Sequence, residues 1–326
     1  MDKIQRYCWV VAVGLMCFSS ILQAQTQYGN EFVLSLGAGG SAFKYQLDEG
    51  QSKSGFGWEL GLAYSHYFNR TMGFSIGLEV ERFAASVDID QMSYKQEIKA
   101  PPELLGRFEL YFDYSGLEEK QSAVMLQIPV LLQLQFPVSE KGFFYLGTGI
   151  KAGFPVSLKW NQNIGQLTTR GYSEYTGQYY ENMPNHGFST SYSLSTSGQL
   201  DLKGSILFAL EGGLKFTVSE GTSFYTGVFL DWGLNDMYKA SGNPAPLEYN
   251  TASPANYLYK SILATDRYSV ADGIKPFALG VKIKMGFGMG GKIANKPEKP
   301  NEPNKKDKPE RKRISPKEQK IVPVGD

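Results

Sequence analysis

The chain has 326 residues, a formal net charge of +1 and 20% charged residues, so nothing global marks it for nucleic acid. Only two cysteines are present, which leaves no framework for a disulfide-stapled domain. Aromatic residues reach 13%, with 20 Tyr, 20 Phe and 36 Gly, a composition suited to β-strands bordered by aromatic girdles.

The first element reads as an export signal. Lys3 and Arg6 form a positive start, residues 7–22 are apolar or small, and Ala24 ends a cleavage-like Leu-Gln-Ala. Residues 1–24 are therefore expected to be removed. Cys8 and Cys17 both lie within them, so the exported chain would have no thiol chemistry. Met16 precedes Cys17 where a lipobox needs a small residue, which argues against lipidation. Beyond the signal there is no run of eighteen apolar residues, so any spanning of a membrane falls to strands.

Eight segments carry the period-two alternation of such strands. Phe32–Phe43 sets Phe32, Leu34 and Leu36 against Ser35, Gly37 and Gly39. Phe56–Phe68 sets Trp58, Leu60 and Leu62 against Glu59, Gly61 and Ala63. Gly73–Ala84 sets Phe74, Ile76, Leu78 and Val80 against Ser75, Glu79 and Glu81. Ser122–Phe136 sets Val124, Leu126, Ile128 and Leu132 against Gln127, Gln133 and Gln135. Phe143–Leu158, Ser205–Val218, Ser223–Leu234 and Pro276–Phe287 follow the same rule.

The connections alternate in length. Those at 69–72, 137–142 and 219–222 are tight. Those near 87–121, 159–203 and 235–275 are long, and 44–55 is intermediate. Short periplasmic turns opposite long external loops are the asymmetry of an outer-membrane barrel, and an even strand number places both termini in the periplasm. Phenylalanines at one end of the apolar parity (Phe32, Phe68, Phe74, Phe136, Phe144, Phe216, Phe224, Phe287) read as a girdle. Trp58, Phe154, Phe208, Trp232 and Phe277 read as its counterpart. A soluble sandwich would also alternate, but it has no need of long loops on one side only.

The other parity faces the lumen, which in an eight-stranded barrel is just wide enough to be filled by side chains. It carries Glu59, Glu79, Glu81, Lys151, Glu211, Lys215, Asp231, Lys282 and Lys284. Opposite charges in so narrow a space are expected to pair, because an isolated buried charge is costly. The expectation is a polar plug rather than an open porin.

Residues 126–134 (LQIPVLLQL), followed by a turn and 144–153 (FYLGTGIKAG), resemble the outer-membrane β-barrel family common in Bacteroidota, the group with PorT-like proteins. The likeness spans roughly residues 30–290. It implies an eight-stranded barrel with Pro129 facing the lumen, and no particular activity, although some members serve as accessory parts of secretion machinery. A more distant similarity is to OmpA-type barrels, but here no peptidoglycan-binding domain follows.

Between strands three and four, 86–94 and 107–114 are suited to extend the barrel upward as a hairpin. The third long loop holds Tyr172, Tyr175, Tyr179, Tyr180 and His186, and the last holds Tyr257 and Tyr259 among Gly, Ser, Asn and Thr. Such compositions favour recognition surfaces, while the plainer reading is that these rings pack the loops together. After residue 290 the chain turns Lys- and Pro-rich, with the cluster Arg311, Lys312, Arg313; residues 291–326 are expected to be a disordered periplasmic tail able to contact cell-wall polymer.

The case for an enzyme is thin. His66 falls on the lipid-facing parity, and His186 has no serine or acid at a telling spacing. Two distant histidines without cysteine make no metal site of the usual kind. The sequence thus predicts an all-β, eight-stranded antiparallel transmembrane barrel at residues 25–290, located in the outer membrane and needing no cofactor. It would be non-enzymatic, structural or accessory, with outer-membrane lipid and other outer-membrane or periplasmic proteins as partners. A lipid- or peptide-modifying barrel enzyme and a narrow channel are the alternatives.

Overall fold

The computed structural model describes residues 29–45, 47, 50–99, 107–219, 221–238, 247–249, 256–264 and 273–289. The expected signal, both cysteines and the expected tail lie outside the described residues. The strands are β1 (Asn30–Lys44), β2 (Gln51–Tyr67), β3 (Met72–Lys99), β4 (Arg107–Pro137), β5 (Gly142–Ser173), β6 (Gln178–Tyr180), β7 (Thr190–Leu200), β8 (Ser205–Ser219), β9 (Thr222–Gly233), β10 (Leu247–Glu248), β11 (Leu258–Tyr259) and β12 (Lys275–Met289).

Eight of them close on themselves in the order β4-β3-β2-β1-β12-β9-β8-β5, with β4 pairing β5 to complete the ring. Every pairing is antiparallel, from Leu34↔Met285 in the pair joining first and last strands to Leu132↔Thr148 in β4–β5. This is the expected eight-stranded barrel. Closure leaves no free sheet edge within the ring. At one end the hairpins are tight: the Phe68 N–H donates to the Met72 carbonyl and the Val138 N–H to the Gly142 carbonyl, each at 2.9 Å.

The register puts the apolar parity outward all round. Leu34, Leu36, Leu60, Leu62, Val130, Ile150, Val228, Leu279 and Val281 are exposed large apolar side chains, in a belt that no other part of the described chain covers. Water would penalise that belt by roughly 25 cal/mol per Å², whereas a bilayer would not. Aromatic rings border it at both ends. Phe68, Phe136, Phe144, Phe216 and Phe287 stand at the turn end, and Trp232 meets Phe277 edge-on at 5.8 Å at the other. No helix among the described residues is long and apolar enough to cross a membrane, and here the crossing elements would be strands.

The largest departure from expectation is above the belt. β3, β4 and β5 are 28, 31 and 32 residues long, so the ring's wall continues as a projecting sheet. β3 and β4 form the anticipated hairpin, with Tyr94 opposite Phe112. The segment 159–203, read from sequence as a loop, is mostly strand: β5 runs on to Ser173 and β7 returns beside it, Ile164 opposite Leu194. The pattern was hidden for two reasons. The outward face up here is water-facing Asn, Gln, Ser and Thr. The alternation also changes phase at one height in all four strands, where Asp90–Gln91, Ser115–Gly116, Gly165–Gln166 and Tyr192–Ser193 place two outward-facing residues in succession. Left-handed backbone at Gly116 (φ 66°) and Ser193 (φ 55°) makes that turn of phase possible.

The inner face of the projection is an apolar core of Val87, Ile89, Tyr94, Leu110, Phe112, Leu117, Ile164 and Leu167, closed over by Leu247 and Ile262 from the last long connection. Below it a second cluster lies across the mouth of the ring: Phe43, Phe83, Met125, Leu158, Trp160, Leu207, Phe229, Met237 and Leu263.

Candidate functional site

The lumen contains the ionic network foreseen from parity. β5 carries Lys151 to the axis, where its Nζ lies 2.7 Å from Glu79 Oε2, 2.7 Å from Asp231 Oδ2 and 3.3 Å from Glu59 Oε2. β12 supplies Lys282, 2.6 Å from Glu59 Oε1, 3.6 Å from Glu79 Oε1 and 3.5 Å from Glu211 Oε2. Lys284 donates to Glu211, and Gln133 Nε2 donates to the same carboxylate at 3.2 Å. Six strands thus meet through three ammonium groups, all buried. Such multiply held pairs meet the condition under which buried charges are tolerated.

Glycines make the room. Glu59 stands opposite Gly37, Glu79 opposite Gly61 and Glu211 opposite Gly147 across adjacent strands. A methyl group at Gly147 would sit 2.8 Å from Glu211 Cγ and 3.1 Å from Gln133 Nε2. The alternation of glycine with charge is therefore a packing device. The carboxylates lie in the space a neighbouring side chain would fill.

Two network members behave differently from the sequence reading. Lys215 finds its partner in Glu31, at 3.1 Å, with Tyr225 donating to the same carboxylate. Glu31 was missed because the first strand was begun at Phe32, one residue too late. Its parity, opposite to Phe32, was the available signal. Glu81 is lumenal and buried, yet no ion pair holds it among the described residues. Pro129 faces inward as expected and lines, with Ser35, Ser65, Gln133 and Lys282, a cavity of about 20 Å³ toward the turn end. A space that size holds about one water and no path.

Above the network the mouth is sealed by the apolar cluster, and above that by a latch. Glu119, fully buried, accepts hydrogen bonds from Ser261 Oγ (2.6 Å), the Ile262 N–H (2.8 Å), Gln162 Nε2 (2.6 Å) and Gln121 Nε2 (2.9 Å). Burial raises its carboxyl above the ordinary range against these four donors, which pull it down. The latch pins 261–264 over the barrel, with Ile262 and Leu263 buried beneath. Nothing in the sequence spacing, 142 residues between Glu119 and Ser261, announced it.

The six tyrosines proposed from the loops separate into two groups. Tyr257 and Tyr259 pack against the upper core. Tyr257 meets Phe112 edge-on at 5.8 Å and donates to the Gly187 carbonyl at 2.5 Å, and burial pushes its phenol up to about 12. Tyr180 also packs there. These three help hold the projection together. Tyr172, Tyr175 and Tyr179 stand at the tip on the outward face. Tyr179 lies 4.9 Å from Tyr172 and 5.7 Å from Tyr111, centroid to centroid. Beside them Arg170 Nη2 lies 2.8 Å from Asp113 Oδ2, and Lys95 Nζ lies 3.2 Å from Glu109 Oε1. The Tyr111 hydroxyl donates to Glu109 at 2.6 Å, which raises the phenol and lowers the carboxyl.

His66 is at the girdle, 2.7 Å from Asn30 Oδ1 and edge-on to Phe68 at 5.3 Å. His186 sits exposed in a short 3-10 turn, where its N–H donates to the Met183 carbonyl at 2.9 Å and its carbonyl accepts from the Tyr249 hydroxyl at 3.3 Å.

No family model matches the chain, and no curated protein matches it. Among solved structures it is similar to the outer-membrane protein OprG of Pseudomonas aeruginosa (16% identity, 81% of this chain and 97% of that chain, TM-score 0.35). It is also similar to Ail of Yersinia pestis, an attachment invasion locus protein seen with the heparin analogue sucrose octasulfate (12% identity, 80% and 99%, TM-score 0.23). A third is the N-terminal β-barrel domain of Pseudomonas aeruginosa OprF (9% identity, 80% and 100%, TM-score 0.24). Similarity at this level assigns no activity.

Proposed function

We propose that this protein is a non-conducting outer-membrane barrel that serves, without catalysis, as a structural or accessory component at the cell surface, recognising a partner through the tip of its projecting sheet. The single observation that carries the proposal is the doubly sealed lumen. A salt-bridged plug fills the ring, and an apolar layer with the Glu119 latch closes its mouth. A pore would need neither. What remains to work with is the outward face, where Tyr111, Tyr172 and Tyr179 cluster beside Arg170 and Lys95; large amphipathic rings with charged neighbours are favoured at recognition surfaces. The long connections would then face outward from the cell, and the tight turns the periplasm.

The test has two arms. In planar bilayers the purified protein is expected to give no steady single-channel current; an ohmic conductance would refute the sealed-lumen reading. In mild detergent extracts of its own outer membrane, a stoichiometric companion identified by mass spectrometry is expected, and it should be lost when Tyr172 and Tyr179 are both changed to Ala. A companion retained by that variant would move recognition off the tip.

A further inference from the structure

Within the ring, six carboxylates (Glu31, Glu59, Glu79, Glu81, Glu211, Asp231) are buried with four ammonium groups (Lys151, Lys215, Lys282, Lys284). Two negative charges are left over in a space from which water is nearly excluded, and isolated buried charge is not tolerated. The surplus has a location. Glu59, Glu81 and Asp231 each place a carboxylate oxygen so that all three lie within 4.8 Å of one another, and all three residues are buried.

The free valences point to the same spot. Lys151 engages Asp231 Oδ2 and Glu59 Oε2. Glu59 Oε1 lies 2.6 Å from Lys282 Nζ, but out of hydrogen-bonding alignment. Among the described residues Glu81 Oε2 makes no hydrogen bond of normal length and angle, and neither does either amide atom of Gln127, which reaches Glu81 only in a looser contact. Gln127 is 0% exposed, and it faces inward across the strand pair from Glu79, one lumenal position below Glu81. A fully buried amide with both ends unsatisfied is uncommon, and each unmade hydrogen bond costs about 1–3 kcal/mol. A hard cation can also take a neutral amide oxygen as a ligand beside carboxylates.

We propose that a single Ca²⁺ ion binds in the upper lumen between Glu59, Glu81 and Asp231, with Gln127 Oε1 as a neutral fourth ligand. Its two charges cancel the surplus of the ring. The donor set is all oxygen, which selects a hard cation over zinc or copper. Ca²⁺ bonds to oxygen at about 2.3–2.6 Å in irregular geometry, which a site of this spread accommodates, whereas Mg²⁺ demands a near-ideal octahedron and keeps several waters. The ion would tie β2, β3, β4 and β9 together immediately below Phe83 and Met125, where the polar plug meets the apolar seal.

The experiment uses the full-length protein in detergent, loaded with Ca²⁺ and passed through a chelating resin, with retained metal counted by elemental mass spectrometry. One Ca²⁺ per chain is expected in the wild type and none in Glu81→Gln, which keeps the shape and every surface carboxylate. Thermal unfolding supplies a second readout. Ca²⁺ should raise the wild-type midpoint in a saturable way, and Gln127→Met should bind at least tenfold more weakly than wild type while still folding. Wild-type protein that retains no Ca²⁺ and unfolds identically in chelator would overturn the proposal and leave the two charges to protons. An ion retained equally by Glu81→Gln would place it elsewhere and overturn it too.

Discussion

Replacing Lys151 by Met removes the centre of the lumenal network while keeping the volume of its stem. Its ammonium is buried and lies 2.7 Å from both Glu79 and Asp231. After the change Glu59 and Glu79 still have Lys282, at 2.6 and 3.6 Å. Asp231 keeps no cation among the described ion pairs, and the surplus of negative charge in the ring rises from two to three. Breaking a buried pair by deleting one partner costs about 3–5 kcal/mol, most of it from the charge left behind. The double variant Lys151→Met/Asp231→Asn removes that charge as well, so it should recover to within about 1–2 kcal/mol of wild type. The assay is denaturant unfolding in phospholipid vesicles containing a chelator, followed by tryptophan fluorescence and extrapolated linearly, with an unchanged slope as the sign that the same surface unfolds. A loss below about 1 kcal/mol in the single variant, or no recovery in the double, would show that the network does not organise the lumen as argued.

Other outcomes follow from the same geometry. Gly147→Ala should destabilise by about 1–3 kcal/mol in the same unfolding assay, because the new methyl group forces Glu211 off Lys284. Glu119→Ala should loosen residues 256–264 by about 1–3 kcal/mol, seen as faster hydrogen exchange of those amides without a change in global stability. Burial raises the Glu119 carboxyl, so its contribution to latch closure is complete below the ordinary value of 4.5 and is lost as pH rises through the raised value. A fluorescent label at Leu258 should report opening with increasing pH in the wild type and little change in Glu119→Gln. Tyr172→Ala together with Tyr179→Ala should leave stability within about 0.5 kcal/mol, since these rings cover no core.

Much of the fold was legible because lipid and lumen impose opposite chemistries on alternate residues. Leu34, Leu36, Leu60 and Leu62 had to face outward once Ser35, Gly37, Glu59 and Gly61 were read as lumenal, and the register bears this out. The same parity named nine charged lumenal residues, and all nine are buried inside the ring. That logic fails where the lipid ends. Above the belt the outward face is wet, so the upper part of β5 beyond Leu158 and all of β7 showed no lipid-type alternation and were read as loop. The phase change at Asp90, Gly116, Gly165 and Ser193 erased what period remained.

What the sequence determined by itself is the set of faces, because a period of two is a local property that solvent reads directly. What only the tertiary structure decided is which charge meets which. Lys151 reaches Asp231 across 80 positions and Glu119 reaches Ser261 across 142, distances in the chain over which no pattern survives. Closure of the ring brings them together, and with them the three carboxylates Glu59, Glu81 and Asp231 that no spacing in the chain relates.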